Sequence, residues 1–219
     1  MNRRFWLGAV LLLSVCALAR GEDPAAGRDA AGAAMLGSLA PLHLDRASGE
    51  PVCVPSPDHP LTVLLFVAPD CPVVNRYAPE INRLHEAFSK KKVLLYRVYS
   101  DPAVGVEAIR AHTRDYALQP AALLDPVHAC ARAVGATVTP EAVVLDRAGR
   151  IYYRGRIDDR YVDFGKYRNE AAQHDLRDAI EAALQGKTLP QNETPCIGCF
   201  IPMDGAPDAS QPETLKENP

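Results

Sequence analysis

The sequence has few cysteines and no excess of positive charge, and each shortage excludes a class of protein. Six cysteines in 219 residues are far too few for a scaffold held together by disulfides. Lysine and arginine together number 24 against 27 aspartates and glutamates, and no segment is both basic and amphipathic. We therefore expect neither nucleic acid nor a membrane surface as a partner. The chain also has no internal repeat, which excludes a repeat architecture.

Long apolar runs are absent except at the start of the chain. Residues 5–18 are apolar, follow two arginines and lead into the small-x-small site Ala17-Leu18-Ala19. Because this run is too short to span a bilayer, it predicts a signal peptide over residues 1–19 and a protein exported to the periplasm or secreted. Lipid attachment at Cys16 is the weaker alternative, since Val15 is bulkier than the residue usual at that position. The mature chain carries 22 basic and 27 acidic residues, a formal charge of −5, because the leader holds two arginines and no acid.

Apolar periodicity predicts one α/β domain over residues 36–187, between a flexible linker at 20–35 and a polar tail at 188–219. Strands are predicted at 61–67, 93–99, 121–124, 141–146 and 151–157, and helices at 78–90, 106–118, 127–134 and 171–185. The order is β-α-β-α-(βα)-β-β-α, with a polar loop at 158–170. Strands joined through helices are parallel neighbours, and the last two strands form a hairpin. The pattern predicts a central mixed sheet with flanking helices.

Cys71 lies where the first buried strand gives way to a helical pattern. A helix begins with unpaired N–H groups and the positive end of its dipole, which favour the thiolate form of a cysteine placed there. Pro72 suits the first helical turn because its missing N–H costs nothing at that position. The sequence therefore predicts Cys71 as an attacking thiol, and the alternative is a buried cysteine that only packs.

Three stretches carry a resemblance to a known group of proteins: residues 66–75, 134–140 and 151–159. They resemble the redoxin group of the thioredoxin-like superfamily, the branch of the peroxiredoxins and of exported thiol-disulfide reductases. The resemblance extends to the tail, where Gly198-Cys199 precedes an apolar pair. It implies a thioredoxin-like fold and an antioxidant or thiol-disulfide oxidoreductase, whose partner is a protein thiol or disulfide or a small oxidant. It also implies that Pro140 is a cis-proline opposite Cys71 and that Thr139 offers its backbone to an extended substrate.

The chain departs from these families at positions that matter for their chemistry. Val74 stands where thioredoxins have their second cysteine, Ala68 where peroxiredoxins have a threonine, and Leu65 where thioredoxins have a buried acid. Arg154 and Arg156 are candidates for an activating cation, and the alternative is two exposed arginines on an edge strand.

A partner thiol for Cys71 must then come from elsewhere in the chain. Cys199, or Cys196 acting with it, is the best candidate, because a mobile tail could bring a thiol to the site. The alternative is a tail pair that closes on itself. Cys53 and Cys130 are expected to pack rather than react.

The sequence predicts no cofactor. Phe200 follows Cys199 where covalent haem attachment needs a histidine, which excludes that group. Cu(I) bound by Cys196, Cys199 and Met203 is an alternative, because thiolates and thioethers are its preferred ligands. Histidines 112, 128 and 174 have no metal-binding spacing and are expected to be solvated. The leading hypothesis is an exported thiol-disulfide oxidoreductase; a Cu(I)-binding or partner-docking module and a thiol peroxidase are the alternatives.

Overall fold

A computed structural model describes residues 36–163 and 165–203 of the chain. All of them fall within one unit, residues 32–219. The predicted signal peptide, the predicted linker and residues 204–219 of the predicted tail lie outside the described residues. Those predictions therefore stay predictions.

A mixed sheet of seven strands forms the centre of the domain. The strands of the described ranges are β1 (Leu42–Arg46), β2 (Pro51–Val54), β3 (Leu61–Phe66), β4 (Val93–Tyr99), β5 (Ala121–Leu124), β6 (Val138–Thr139), β7 (Glu141–Asp146), β8 (Ile151–Gly155), β9 (Tyr161–Asp163), β10 (Lys166–Tyr167) and β11 (Cys199–Phe200). The large sheet has the order β2-β1-β5-β4-β3-β7-β8, and two small sheets pair β9 with β10 and β6 with β11. β3, β4 and β5 are parallel and β7 is antiparallel to β8, as the connections predict. β7 is also antiparallel to β3, which the connections did not predict.

Four helices flank the sheet in the described ranges: α1 (Pro72–Ser89), α2 (Val106–Asp115), α3 (Ala129–Val134) and α4 (Asp175–Leu184). α1 begins six residues earlier than the apolar pattern predicted, directly after Cys71, and it accommodates Pro79 in its interior. Within the described part of the chain, no helix is long and apolar enough to cross a membrane.

β3 separates two apolar cores because its side chains alternate between the faces of the sheet. Val63 and Leu65 join the core that contains the buried face of α1, from Val74 to Phe88, and that of α4. Leu64 and Phe66 join the core on the other face, which contains α3. All six residues of β3 are buried, and this explains the continuous apolar run that predicted the strand. The predicted α/β class and central mixed sheet are confirmed.

Three parts of the fold differ from the expectations. The hairpin of β1 and β2 extends the sheet beyond β5, although its short and partly polar strands carry no clear period. The predicted polar loop at 158–170 contains the small β9–β10 pair. The expectation of a mobile tail is wrong for residues 191–201, which pack on the domain. Ile201 is 4% exposed within the α3-side core. At the edge of β8, Thr194 N–H donates to the Arg154 carbonyl oxygen (3.1 Å) and Arg154 N–H donates to the Asn192 carbonyl oxygen (2.9 Å).

Candidate active site

Cys71 is the residue that immediately precedes α1, and it is completely buried. Its N–H donates to the carbonyl oxygen of Ala68 (3.3 Å) and its carbonyl accepts from Asn75 N–H (3.1 Å), so a turn runs directly into the helix. Pro72 occupies the first helical position, as the sequence predicts. The end of β3 and the start of α1 thus hold the thiol at the carboxyl end of a parallel strand.

The loop that ends in Pro140 lies against Cys71. The Thr139–Pro140 peptide bond is cis, and the Cys71 thiol donates a hydrogen bond to the Thr139 carbonyl oxygen (Sγ to O, 3.2 Å). Thr139 is itself buried, at 4% exposure. The fold therefore brings together Cys71, Thr139 and Pro140, which are about 70 residues apart in the chain.

β11 fills the strand position beside Thr139. It pairs antiparallel with β6, with Cys199 opposite Thr139 and Phe200 opposite Val138. The Thr139 hydroxyl also donates to the Cys199 carbonyl oxygen (3.4 Å). An extended external segment was expected to use this edge, but the chain's own segment already occupies it.

Cys199 is the thiol that lies beside Cys71. Thr139 contacts both residues, and both side chains pack in the core on the α1 side. The pKa of the Cys199 thiol is raised, first by burial and then by its interaction with the neighbouring Cys71 thiol. Gly198 makes this approach possible, because a Cβ at that position would lie 1.9 Å from the Thr139 carbonyl oxygen. All five cysteines of the described residues are free thiols.

Cys199 also borders a cavity of about 270 Å³, whereas Cys71 does not line it. Most of the cavity wall comes from Asp70, Ser100, Asp101, Phe200 and the end of β3. Phe200 is 68% exposed, so the cavity has an apolar rim. Of the two thiols, only Cys199, which is partly exposed, can be approached from solvent.

Cys196 faces a different part of the molecule. It lines a separate cavity with Glu141 and Arg154, and burial raises the pKa of its thiol well above the ordinary value. Met203 packs against the apolar core on the α3 side. The structure thus does not bring Cys196, Cys199 and Met203 together, and no group of three or more His, Cys, Asp or Glu in the described ranges could hold a metal ion.

The two candidate arginines hold other parts of the molecule than the Cys71 site: Arg154 holds the C-terminal segment and Arg156 holds the start of α4. Arg154 forms an ion pair with Glu193 and donates to the Val134 carbonyl oxygen (2.9 Å). Arg156 pairs with Asp175 (2.8 Å). Neither guanidinium contacts Cys71 or Cys199 among its hydrogen bonds and ion pairs within the described residues, so the activating-cation prediction finds no support in this geometry.

A buried polar chain that sequence reasoning missed supports the Cys71 turn. The Asn75 side chain donates from Nδ2 to the Pro69 carbonyl oxygen (3.0 Å), and its Oδ1 faces His112 Nε2 at 2.9 Å. Because Asn75 Oδ1 can only accept, His112 carries its proton on Nε2. His112 Nδ1 therefore accepts from the Tyr99 hydroxyl (2.7 Å).

The expectation of solvated histidines is wrong at two positions. His112 is 3% exposed and His128 is 2% exposed, and only His174 is exposed. Burial, and then the charge of Arg97, lower the pKa of His112 to about 4, so its imidazole is neutral. Asn75 comes four residues after Cys71, in the first turn of a helix. This spacing was the one feature of the sequence that could have indicated the polar hydrogen-bond chain.

Glu141, the residue after Pro140, is a second missed residue. Its carboxylate accepts from the N–H groups of Thr137 (2.8 Å) and Val138 (3.3 Å), which closes the loop before the cis-proline. It is 6% exposed, and burial raises its pKa.

The remaining two cysteines lie away from the Cys71 turn. Cys130 is buried in α3, where burial raises the pKa of its thiol to about 12. Cys53 is in β2 and opposes His43. Cys130 packs within the α3-side core, as expected, and Cys53 is half-buried.

Comparisons with known proteins agree with this architecture. The AhpC/TSA family model matches residues 41–154. A hypothetical protein from Sinorhizobium meliloti 1021 is 25% identical, with a TM-score of 0.69 over 79% of this chain and 96% of its own. An uncharacterised conserved protein from Geobacillus kaustophilus is 24% identical, with a TM-score of 0.67 over 79% of this chain and 94% of its own.

A protein from Chlorobium tepidum assigned as thiol:disulfide interchange protein DsbE is 18% identical, with a TM-score of 0.56 over 69% of this chain and 98% of its own. No curated protein matches the chain. The family match covers more than half of the 219 residues. The chain therefore belongs to the AhpC/TSA family, and it is an oxidoreductase with a thioredoxin-like fold.

Proposed function

We propose that this protein is an exported thiol-disulfide oxidoreductase in which Cys71 and Cys199 form the redox pair. The observation that carries the proposal is the position of both cysteines against Thr139, beside the cis Thr139–Pro140 bond: Cys71 Sγ donates to its carbonyl oxygen and Cys199 pairs opposite it. Two cysteines that the fold holds against the same residue can form a disulfide with a small movement of the backbone. Cys199, rather than Cys196, takes the role of the partner thiol.

Burial favours an order of events in which the external sulfur meets Cys199 first. Cys71 is fully buried and β11 covers its approach, whereas Cys199 borders an open cavity. In the reduced protein, the Cys199 thiolate attacks a partner disulfide and releases one partner thiolate, which takes up a proton. The Cys71 thiolate then attacks Cys199 Sγ and releases the second partner thiolate. One partner disulfide is reduced to two thiols, and the two protein thiols become one disulfide.

The reverse direction uses the same atoms. A partner thiolate attacks Cys199 Sγ of the protein disulfide, and Cys71 leaves as a thiolate at the start of α1, where the helix dipole favours the charge. A second partner thiolate then releases Cys199 and completes the partner disulfide. Because the pKa of Cys199 is raised in the reduced protein, we expect its reaction with a small disulfide to become faster as the pH rises from 7 to 9.

Export is the part of the proposal that depends on residues outside the described ranges. It is supported by the apolar leader at 5–18 and its small-x-small site. Fractionation of cells that produce the full chain tests it: a mature protein that begins after residue 19 in the periplasm or medium is expected. An intact leader on cytoplasmic protein would contradict export without affecting the redox pair.

The redox pair is tested by mass-spectrometric disulfide mapping in buffers of stepped potential, with thiols trapped before digestion. A reversible Cys71–Cys199 bond with a potential above about −300 mV is expected, which is the range of working rather than structural disulfides. Cys199→Ser should abolish the bond, and the matched Cys196→Ser variant, changed three residues away, should keep it. A bond between Cys196 and Cys199, with Cys71 reduced throughout, would sink the proposal.

The order of events has its own test, incubation of the reduced single variants with excess cystamine. Cys71→Ser is expected to form a stable adduct at Cys199, and Cys199→Ser is expected to react at Cys71 about tenfold more slowly or not at all, since reactivity requires access. Faster reaction at Cys71 would restore the order that the sequence predicts, in which Cys71 attacks the partner directly.

A further inference from the structure

A second cavity, of about 420 Å³, lies between α2 and the strands β1, β4 and β5. Four of the residues that line it are arginines: Arg46 from β1, Arg97 from β4, and Arg110 and Arg114 from α2. None of its lining residues is acidic. The cavity is separate from the one that borders Cys199, and the chemistry proposed above makes no use of it.

Arg97 is buried beneath this cavity without a counter-ion. It is 2% exposed, and its guanidinium donates to three neutral oxygens, those of the Pro120 carbonyl (2.8 Å), the Tyr99 hydroxyl (2.7 Å) and the Thr113 hydroxyl (3.0 Å). It forms no ion pair with a carboxylate of the described residues. A buried charge without a partner is costly, and burial lowers the pKa of this guanidinium.

Arg46 is a second guanidinium with unused donors. Its Nε is shielded from solvent and has no hydrogen-bond partner among the described residues. Its guanidinium carbon lies 5.9 Å from the ring centroid of Tyr96, which supplies a contact but no counter-charge. Two arginines that line one cavity are therefore both left without a carboxylate.

The other two arginines stand at the solvent side of the cavity. Arg110 pairs with Glu107 (2.6 Å) and Arg114 with Asp115 (3.2 Å), and all four side chains are more than half exposed. Exposed pairs of this kind are weak, so either arginine can turn toward a bound anion at small cost.

We propose that this cavity is a binding site for a small phosphate monoester. Guanidinium groups present planar sets of N–H donors that match phosphate oxygens, and a dianion would supply the charge that Arg46 and Arg97 lack. The volume is within the range of small-molecule sites. Ile109, Ala121 and Ala122 give the cavity an apolar wall for the organic part of the ligand.

The test is calorimetric titration of the full chain with phenyl phosphate and with inorganic phosphate, at constant ionic strength set with chloride. One saturable site is expected, and phenyl phosphate should bind more tightly because of the apolar wall. Arg46→Gln should weaken binding by about tenfold or more, since it removes a charge-assisted hydrogen bond. Arg83→Gln is the matched control, because Arg83 is exposed and its one ion pair within the described residues is with Glu80, and it should change affinity by less than about twofold.

Arg46 has no side-chain hydrogen bond in the described structure, so its replacement should leave the fold intact. If Arg46→Gln nevertheless unfolds, Ser48→Glu provides the second variant, because it adds a negative charge to an exposed position of the cavity wall and should also abolish binding. Absence of saturable binding, or equal losses in Arg46→Gln and Arg83→Gln, would overturn the proposal. Tighter binding of succinate than of phenyl phosphate would replace phosphate with a dicarboxylate and equally reject it.

Discussion

At the scale of single residues, the Cys71 turn depends on a directed chain of hydrogen bonds. Arg97 donates to Tyr99, whose hydroxyl donates to His112, and the imidazole donates to Asn75. Each N–H or O–H group along this chain has one acceptor. The direction of every bond therefore follows from Arg97, which can only donate, at one end and the Pro69 carbonyl, which can only accept, at the other. Loss of a middle member leaves buried groups without partners.

Asn75→Ala is predicted to lower the free energy of unfolding by about 1–3 kcal/mol, because it strands His112 Nε2 and the Pro69 carbonyl oxygen. It should also slow formation of the Cys71–Cys199 bond, because the turn that carries Cys71 loses its tie to α2. Urea unfolding and thiol trapping measure the two effects. Asn82→Ala is the matched control, since Asn82 is on the same helix and bonds the Ala117 carbonyl oxygen at an exposed site. Equal effects of the two variants would contradict this role for Asn75.

His112 predicts how stability depends on pH. Its pKa is lowered from 6.5 to about 4 in the folded protein, chiefly by burial, so between these values the unfolded state binds more protons. The free energy of unfolding should therefore fall as the pH drops from 6.5 toward 4, by about 3 kcal/mol in all from this residue. Urea unfolding across that range measures the slope. His112→Gln should flatten it and His174→Gln, at an exposed position, should not; an unchanged slope in His112→Gln would refute the assignment.

At the scale of secondary-structure elements, the two-residue strand β11 decides what can reach the site. Its pairing with β6 places Cys199 against Cys71 and occupies the edge of Thr139. Ile201 anchors the strand in the α3-side core and donates its N–H to the Thr137 carbonyl oxygen (2.9 Å). A short strand with a buried anchor is held by tertiary packing more than by its own hydrogen bonds.

Gly198→Ala is predicted to move β11 away from β6, because the added Cβ would overlap the Thr139 carbonyl oxygen. Overpacking of this kind costs about 1–3 kcal/mol, so Cys71–Cys199 bond formation should slow by about tenfold. Thiol trapping during air oxidation gives the rate. Gly105→Ala, where a Cβ meets nothing within 4 Å, should leave the rate unchanged. A Gly198→Ala protein that oxidises at the normal rate would show that β11 does not need this close approach.

At the scale of the whole molecule, the proposed Cys71–Cys199 bond joins the first helix to the last strand. It would close a loop of more than 100 residues, and constraints of that length raise the free energy of unfolding by about 3–5 kcal/mol. We expect the oxidised protein to unfold at a higher urea concentration than the reduced protein. Cys199→Ser should show no difference between oxidising and reducing conditions, and Cys196→Ser should behave as the unaltered chain. Equal stability of the two redox states in the unaltered chain would argue against the bond.

Arg97 connects the arginine-lined cavity to the Cys71 turn, because it lines the cavity and begins the hydrogen-bond chain that ends at Pro69. Saturation with phenyl phosphate is therefore predicted to change the rate of Cys71–Cys199 bond formation by about twofold or more, a coupling weaker than the roughly fivefold lower end of the usual range. Trapping the free thiols at successive times during oxidation, with and without phenyl phosphate, measures this change in rate. Asn75→Ala should remove the effect while phenyl phosphate still binds, and an effect that persists in this variant would exclude the chain as the connection.

The sequence by itself determined the α/β class, the central strands and the position of Cys71 before a helix, because these depend on local apolar periodicity and on residues adjacent in the chain. Strand β3 is buried on both faces and therefore apolar throughout. The β1–β2 hairpin escaped prediction because its strands are exposed on one side and carry no strong period. The apolar period predicted α1 only from Ala78, although the helix begins at Pro72, where the proline had already indicated a first helical turn.

Only the tertiary structure decided which thiol accompanies Cys71. Cys196 and Cys199 are equivalent by sequence spacing, and the pairing of β11 with β6 turns one toward Cys71 and the other toward Glu141. The buried state of His112 and the unpaired charge of Arg97 were equally hidden, since burial of a polar side chain is set by elements distant in the chain. Contacts between sequence-distant residues have no local pattern, and the candidate active site and the arginine-lined cavity both consist of such contacts.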